Sequence, residues 1–377
     1  MRTLMWALVV LCCFTPSISA QNSPSEPRAA VTLPPPAPGA PKAAIITIGE
    51  RDRDIVGIHI THEMIAKIAE ILEPELGKDQ KGIVVLRIHC IGGDEGIARE
   101  VAALVRSRLG TQWRTVAWID KANGAGAIAS YTAKDFVFTR EGSMGPLGGF
   151  AGHGHGGKAR GRQAFDQAVA KDEELSVQVG RSPLLLRSMR TLAPLSADIG
   201  DDETRFFPDA KTGKFLVNRS GEFLILNAHV AAFIRFSAGT ADALAELARV
   251  LGHEELDWVG DRTRATPTEP WPVTQAEQWN REERARIHRQ VERLETLSRE
   301  LNTNVRDAAS RLRDERTLPI KRAKAALTEI RQLATDHPLL LTFTLGYQSL
   351  AEFDEVHDEL LRRLDALRGP APVPASK

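Results

Sequence analysis

The chain has 377 residues, 42% hydrophobic and 26% charged, the balance of a soluble globular protein of two to three domains at roughly 150 residues each. Lys+Arg and Asp+Glu are equal at 49 each, and the lack of a basic excess argues against a nucleic-acid partner. Three cysteines, Cys12, Cys13 and Cys90, exclude a disulfide scaffold and a Cys-rich zinc site.

The N-terminus reads as an export signal: Arg2 opens it, residues 4–14 are an apolar run, and Ser17, Ser19 and Ala20 offer small residues for cleavage. That run is shorter than the roughly 20 residues a membrane span needs. Residues 1–20 are therefore expected to be a signal peptide cleaved after Ser19 or Ala20, with an uncleaved anchor as the alternative. The mature protein is expected in the periplasm or the medium, with no transmembrane helix and with Cys90 as its one thiol. Residues 21–42 contain Pro34-Pro35-Pro36 and read as an extended linker.

Strands and helices then alternate. Residues 43–48 read as a strand, 61–72 as a helix with Met64, Ile65, Ile68, Ile71 and Leu72 on one face, and 82–88 (GIVVLRI) as a buried strand. After His89-Cys90-Ile91-Gly92-Gly93-Asp94-Glu95 comes a helix with Ile97, Val101, Leu104 and Val105 on one face. Strands are predicted at 115–119 and 136–139, helices at 162–179, 183–192 and 241–251, and a hairpin pairing 215–217 with 223–226. The order implies βαβ units and a mostly parallel sheet.

Prolines 267, 270 and 272 mark a boundary, so the body is placed at 43–262 and a helical region at 263–377. Ile287, Val291, Leu294, Ser298, Leu301, Val305, Ala308 and Leu312 recur at alternating spacings of 4 and 3, a heptad seam that predicts a coiled-coil arm for self-association or docking. Residues 277–331 hold 14 Lys/Arg and 10 Asp/Glu, a solvated face of mixed sign. Pro319 is expected to break the helix, residues 321–333 to fold back, and Phe353, Val356, Leu360, Leu364 and Leu367 to line a last amphipathic helix.

Gly92-Gly93, between a buried strand and a helix, lets the backbone turn sharply and aim N–H groups at a ligand, as an oxyanion loop or an anion cradle. No Gly-Lys-Ser/Thr follows, so it is not a nucleotide P-loop. Read together, GIVVLRIHCIGGDEGIAREVAALVRS and TVAWIDKANGAGAIASYTAKDFVFTREGSMGPLGG resemble the ClpP/crotonase superfamily, above all NfeD-type membrane-bound serine proteases and signal peptide peptidase A. Asp135-Phe136-Val137, Glu141-Gly142-Ser143-Met144-Gly145 and the segment 221–228 resemble later elements of that family, over about 43–260. The resemblance implies a ClpP/crotonase-like α/β spiral, peptide or protein segments as partners, a homo-oligomer, and no cofactor or metal.

The same resemblance places the family's nucleophilic Ser on Gly124, if the Ala125–Ala127 triplet is matched, or on Ala125, if counted back without a gap from Asp135. Neither side chain can attack a carbonyl. Matching Gly180-Arg181 puts the family's Lys base on Glu173, with Lys171 two residues away and so on another face of the helix. The expectation is a degenerate, non-catalytic member; the alternative is an active serine-type hydrolase with a displaced nucleophile, for which Ser130 is the fallback. Asp94 and Glu95 read either as acid/base carboxylates or as first-turn residues favoured by the helix dipole. His89 and Cys90, adjacent on a strand, are expected to face opposite ways. His153 and His155 in a Gly-rich loop, and His59 and His62, are read as ordinary loop, surface or core residues rather than metal ligands.

Overall fold

A run such as IVVLRIHC, apolar on both of its faces, is only satisfied between two other strands with helices above and below. In the computed structural model, which describes residues 39–50, 53–78, 81–148, 162–201, 203–311, 315–347 and 349–368, it does lie there. The chain enters through β1 (Lys42–Ile48), whose last six residues are all buried. Helix α1 (His62–Leu76) follows, its first turn capped by the Thr61 hydroxyl, which accepts the Met64 N–H. Next come β2 (Ile83–Cys90), α2 (Glu95–Leu104), β3 (Arg114–Ala122), the short α3 (Ala125–Ser130) and β4 (Asp135–Met144). β1, β2, β3 and β4 pair parallel in that spatial order, as the alternating pattern predicts.

Helices α4 (Arg162–Gln178) and α5 (Pro183–Arg190) lead to a separate three-stranded antiparallel sheet of β5 (Leu195–Ile199), β6 (Thr204–Phe207) and β7 (Phe215–Asn218), with β5 in the middle. The chain then returns to the main sheet through β8 (Leu226–Asn227), α6 (Ala228–Phe233), β9 (Gly239–Thr240), α7 (Leu244–Val250) and β10 (Asp257–Trp258). β8 pairs antiparallel with the end of β4, β9 runs parallel to its start, and β10 extends the other edge beside β1. The main sheet has an apolar layer on each face, one built around Ile46, Leu86 and Ile119, the other around Ile45, Val85 and Trp118.

The expected 215–226 hairpin does not form. β7 pairs with β5, and Leu224 instead donates its N–H to the Ser188 carbonyl at the end of α5. The strand propensity of FLV was real; its partner lay upstream.

The last third is helical: α8 (Gln275–Ser310), α9 (Thr317–Asp336) and α10 (Leu350–Arg368). The described chain divides into two compact units at 285/286, not at the proline-rich stretch, so residues 275–285 of α8 belong to the α/β unit. Within the helical unit Ala308, Ile320, Ala323 and Leu364 close a core with Leu301, Val305 and Leu367. Of the expected heptad seam, Leu301, Val305 and Ala308 pack against residues of α9 and α10 of the same chain. Pro319 sits in the first turn of α9, where its missing N–H costs nothing.

Helix α3 packs so tightly on the end of β2 that a Cβ at Gly126 would stand 2.8 Å from the Cys90 carbonyl oxygen and 2.9 Å from its Cβ. Gly126→Ala is expected to destabilise the protein by about 1–3 kcal/mol, the usual cost of overpacking. Urea unfolding checks it, and an unchanged midpoint contradicts this packing.

Candidate functional site

At the end of β2 the ladder loses register between Ile88 and His89, and the chain leaves the sheet as the Gly92-Gly93 loop. His89 and Cys90 do face opposite ways. His89 lies 3.9 Å from Asp120, whereas the fully buried Cys90 Sγ donates to the carbonyls of Gly92 (3.4 Å) and Asp54 (3.5 Å). Burial pushes the thiol up to about 11, so it is protonated at neutral pH. On the other face, burial would raise the Asp120 carboxyl, but His89 and Arg87 together hold it below the ordinary carboxylate range.

Both loop glycines have positive φ, +157° and +136°. Gly93 is held in a bridge to Val56: the Val56 N–H donates to the Gly92 carbonyl and the Asp94 N–H to the Val56 carbonyl, both at 3.0 Å. A side chain at Gly93 would overlap the Val56 backbone, while one at Gly92 would enter open space. Neither the Gly92 nor the Gly93 N–H has a protein acceptor among the described residues. Two backbone donors therefore stand ready for an outside oxygen.

The turn from β3 into α3 lies against this loop. The Asn123 N–H donates to the Cys90 carbonyl at 3.0 Å and the Gly124 N–H to the Pro146 carbonyl at 2.8 Å. Gly124 has φ +50° and ψ −121°, a conformation essentially reserved for glycine, and caps α3. Strained strand-to-helix turns of this shape are where hydrolase folds present a nucleophile. A Cβ built on Gly124 has the Gly92 Cα as its nearest neighbour, 3.5 Å away, so this position faces the loop. Ala125 is the first residue of the helix and is buried. Of the two registers, Gly124 is the one at the turn. Asn123, not anticipated from the sequence, has its Oδ1 buried there without a hydrogen-bond partner. Ser130 lies at the far end of α3, buried, its hydroxyl donating to the Ala127 carbonyl at 3.1 Å.

The carboxylates at the start of α2 serve structure. Asp94 caps the helix, accepting the Ile97 N–H at 2.9 Å, and Glu95 pairs with Arg190 at 3.0 Å. Glu173 is half-buried and pairs with Arg187 at 3.2 Å, and Lys171 is exposed. The residue that α4 turns inward is the one between them. Asp172 is fully buried and bonded to Arg190, and to Arg99 at 2.6 Å. Burial raises its carboxyl pKa, against the pull of the two guanidinium groups. The inward face of α4, Ala168, Asp172, Leu175 and Ser176, has helical spacing that could have identified Asp172 in the sequence.

A second buried network gathers around Thr47 and Asp54. Glu277 accepts the Thr47 N–H at 2.9 Å and its hydroxyl at 2.5 Å. Arg284 donates to Asp54 at 2.6 Å and to the Thr47 Oγ1 at 2.7 Å, and Asn280 donates to the Thr47 carbonyl at 2.8 Å. His59 is buried beside Asp54, its Nδ1 accepting the Ile55 N–H at 3.2 Å. His62 is half-buried and paired with Glu63 and Glu100. His153 and His155, like the export signal and most of the linker, lie outside the described residues.

No protein-family model matches the chain, and no curated protein matches it. Among solved structures, two mutants of the 1510-N membrane-bound stomatin-specific protease are similar. One was solved in complex with a substrate peptide. The match has 12% identity and a TM-score of 0.40, and covers 63% of this chain and 88% of that one. The other has the same identity and score, and 93% of its chain is covered.

Two outcomes test the site's construction. Asp172→Ala removes the buried carboxylate shared by Arg99 and Arg190 and leaves them only Glu95, and is expected to cost about 3–5 kcal/mol in urea unfolding; a loss below 1 kcal/mol would contradict the network. Cys90 is expected to resist iodoacetamide in the native protein and to react after unfolding, read by mass mapping of its peptide; fast native alkylation would contradict its burial.

Proposed function

We propose that this is an exported ClpP/crotonase-type protein, of the NfeD and signal peptide peptidase kind, that holds an extended peptide segment at the Gly92-Gly93 loop without cleaving it. The observation that carries the reading is glycine at position 124. The turn keeps the backbone shape that presents a nucleophile, and its Cβ direction faces the loop, but there is no side chain. A peptide carbonyl placed at the loop accepts from the Gly92 and Gly93 N–H groups. Nothing at Gly124 attacks it, so no acyl intermediate forms.

Helix α4 supports the same reading: at the base position given by the resemblance stands Glu173, paired with Arg187, and the buried charge beside it is Asp172, held between two arginines. Asp94 and Glu95, committed to a helix cap and an ion pair, are not offered to a substrate. Self-association through the helical arm belongs to the same proposal and rests on the family resemblance.

The test pairs a covalent probe with a binding assay. A fluorophosphonate probe is expected to leave the intact mass unchanged, while a fluorescein-labelled apolar decapeptide binds and is recovered whole. Gly92→Ala places a methyl in the open space before the loop and is expected to weaken that binding at least tenfold. A fluorophosphonate adduct lost on Ser130→Ala, or cleavage of the decapeptide, would establish the displaced-nucleophile hydrolase instead.

A further inference from the structure

Large apolar side chains left exposed in quantity mark interaction surfaces. Among the described residues, Leu192, Phe215, Leu216, Ile225 and Phe233 are exposed by 45, 41, 52, 51 and 44%, and all belong to one stretch of chain around the small sheet. Leu192 is tied to the turn after β7, and Phe215 to Phe233. The Gly221 N–H donates to the Leu192 carbonyl at 3.0 Å, Asn218 Nδ2 donates to the Ala193 and Glu222 carbonyls at 2.9 Å, and the Phe215 and Phe233 rings meet edge-on at 5.1 Å.

The two edges of this sheet differ. β6 carries Arg205, whose guanidinium lies 5.2 Å over the Phe207 ring, and Pro208 follows it, both familiar ways of blunting an edge. β7 has no charge and no proline within Phe215–Asn218, and its backbone pairs with β5 alone among the described residues. It thus offers unpaired N–H and C=O groups next to the exposed Phe215 and Leu216. A lipid or a compact apolar ligand would satisfy the side chains and leave the backbone unpaired; an added strand satisfies both.

The flanks say which strand. Lys214 and Arg219 bracket β7. The acids nearby are partly committed: Asp198 accepts the Lys214 N–H at 2.8 Å, and Asp209 accepts the Lys211 and Thr212 N–H groups of its own turn, each at 2.7 Å, while Glu222 is exposed. Antiparallel pairing of β7 with a second β7 would gather four cations on one four-residue ribbon, a like-charge arrangement that disfavours a second copy.

We infer that the outer edge of β7 is a docking site for an extended apolar segment of a partner protein with acidic residues at its ends, bound by strand addition. The site is separate from the Gly92-Gly93 loop and does not depend on the reading given for that loop.

The test uses a fluorescein-labelled Asp-Val-Ile-Val-Phe-Asp peptide and the full chain, read by polarisation. Saturable binding is expected, at least tenfold weaker when alternate peptide nitrogens are methylated and tenfold weaker for Leu216→Asp. The double variant Lys214→Glu/Arg219→Glu is expected to shift preference to the same peptide with lysine ends, a reversal that loss of folding cannot produce. Gly92→Ala is expected to leave the affinity unchanged. The inference is overturned by absent saturable binding, by equal binding of the methylated peptide, or by no preference shift in the charge-reversed variant. Loss of binding in Gly92→Ala would place the peptide at the loop. A dimer in sedimentation that Leu216→Asp dissociates would assign the edge to a second copy.

Discussion

The bridge between Val56 and Gly93 is the constraint on which the rest of the site depends. It fixes the Gly92-Gly93 loop by spending the Gly92 carbonyl and the Asp94 N–H on Val56, and so leaves the two glycine N–H groups unspent. The bridge admits only glycine at position 93, because any Cβ there meets the Val56 backbone. Val56 in turn is placed by Asp54, two residues before it, which Arg284 holds from α8. An ion pair 230 residues apart in sequence thereby sets the position of a backbone loop. The first turns of α8, which carry Glu277, Asn280 and Arg284, belong to the same compact unit as the loop.

A strained backbone is retained only where its surroundings hold it, and in the 123–125 turn the Asn123 and Gly124 N–H groups are both anchored, to Cys90 and Pro146. The strain presents an empty position toward the loop. On α4 the buried carboxylate of Asp172 is compensated by Arg99 and Arg190, and the proposed reading requires no proton acceptor there. In the proposed reading the function is recognition, by two backbone donors that have no protein acceptor among the described residues beside a turn without a nucleophilic side chain.

The parts of this structure that depend on local pattern could be read from the sequence. The β-branched runs gave the parallel strands, the two glycines gave the loop, and strand alternation correctly separated His89 from Cys90. What depends on distant pairing could not. FLV has strand propensity but names no partner, so β7 was assigned downstream instead of to β5. The seam of α8 has the spacing of a coiled coil whether its partner is another molecule or, as for Leu301, Val305 and Ala308, helices α9 and α10 of the same chain. The spacing from Gly180-Arg181 names Glu173, and the buried carboxylate of α4 is its neighbour Asp172, about 100° away around the helix. Asp54, Glu277 and Arg284 are unremarkable in sequence; only the fold shows that they are buried together.

The central claim is that the Gly92 and Gly93 N–H groups receive a peptide carbonyl that the protein does not cleave. Selective ¹⁵N-glycine labelling, with titration of an apolar decapeptide followed by amide resonances, tests it directly. The account predicts saturable shifts of the Gly92 and Gly93 signals while the peptide stays intact in the sample. Unmoved signals at saturating peptide, or shifts that decay as the peptide is hydrolysed, would contradict it.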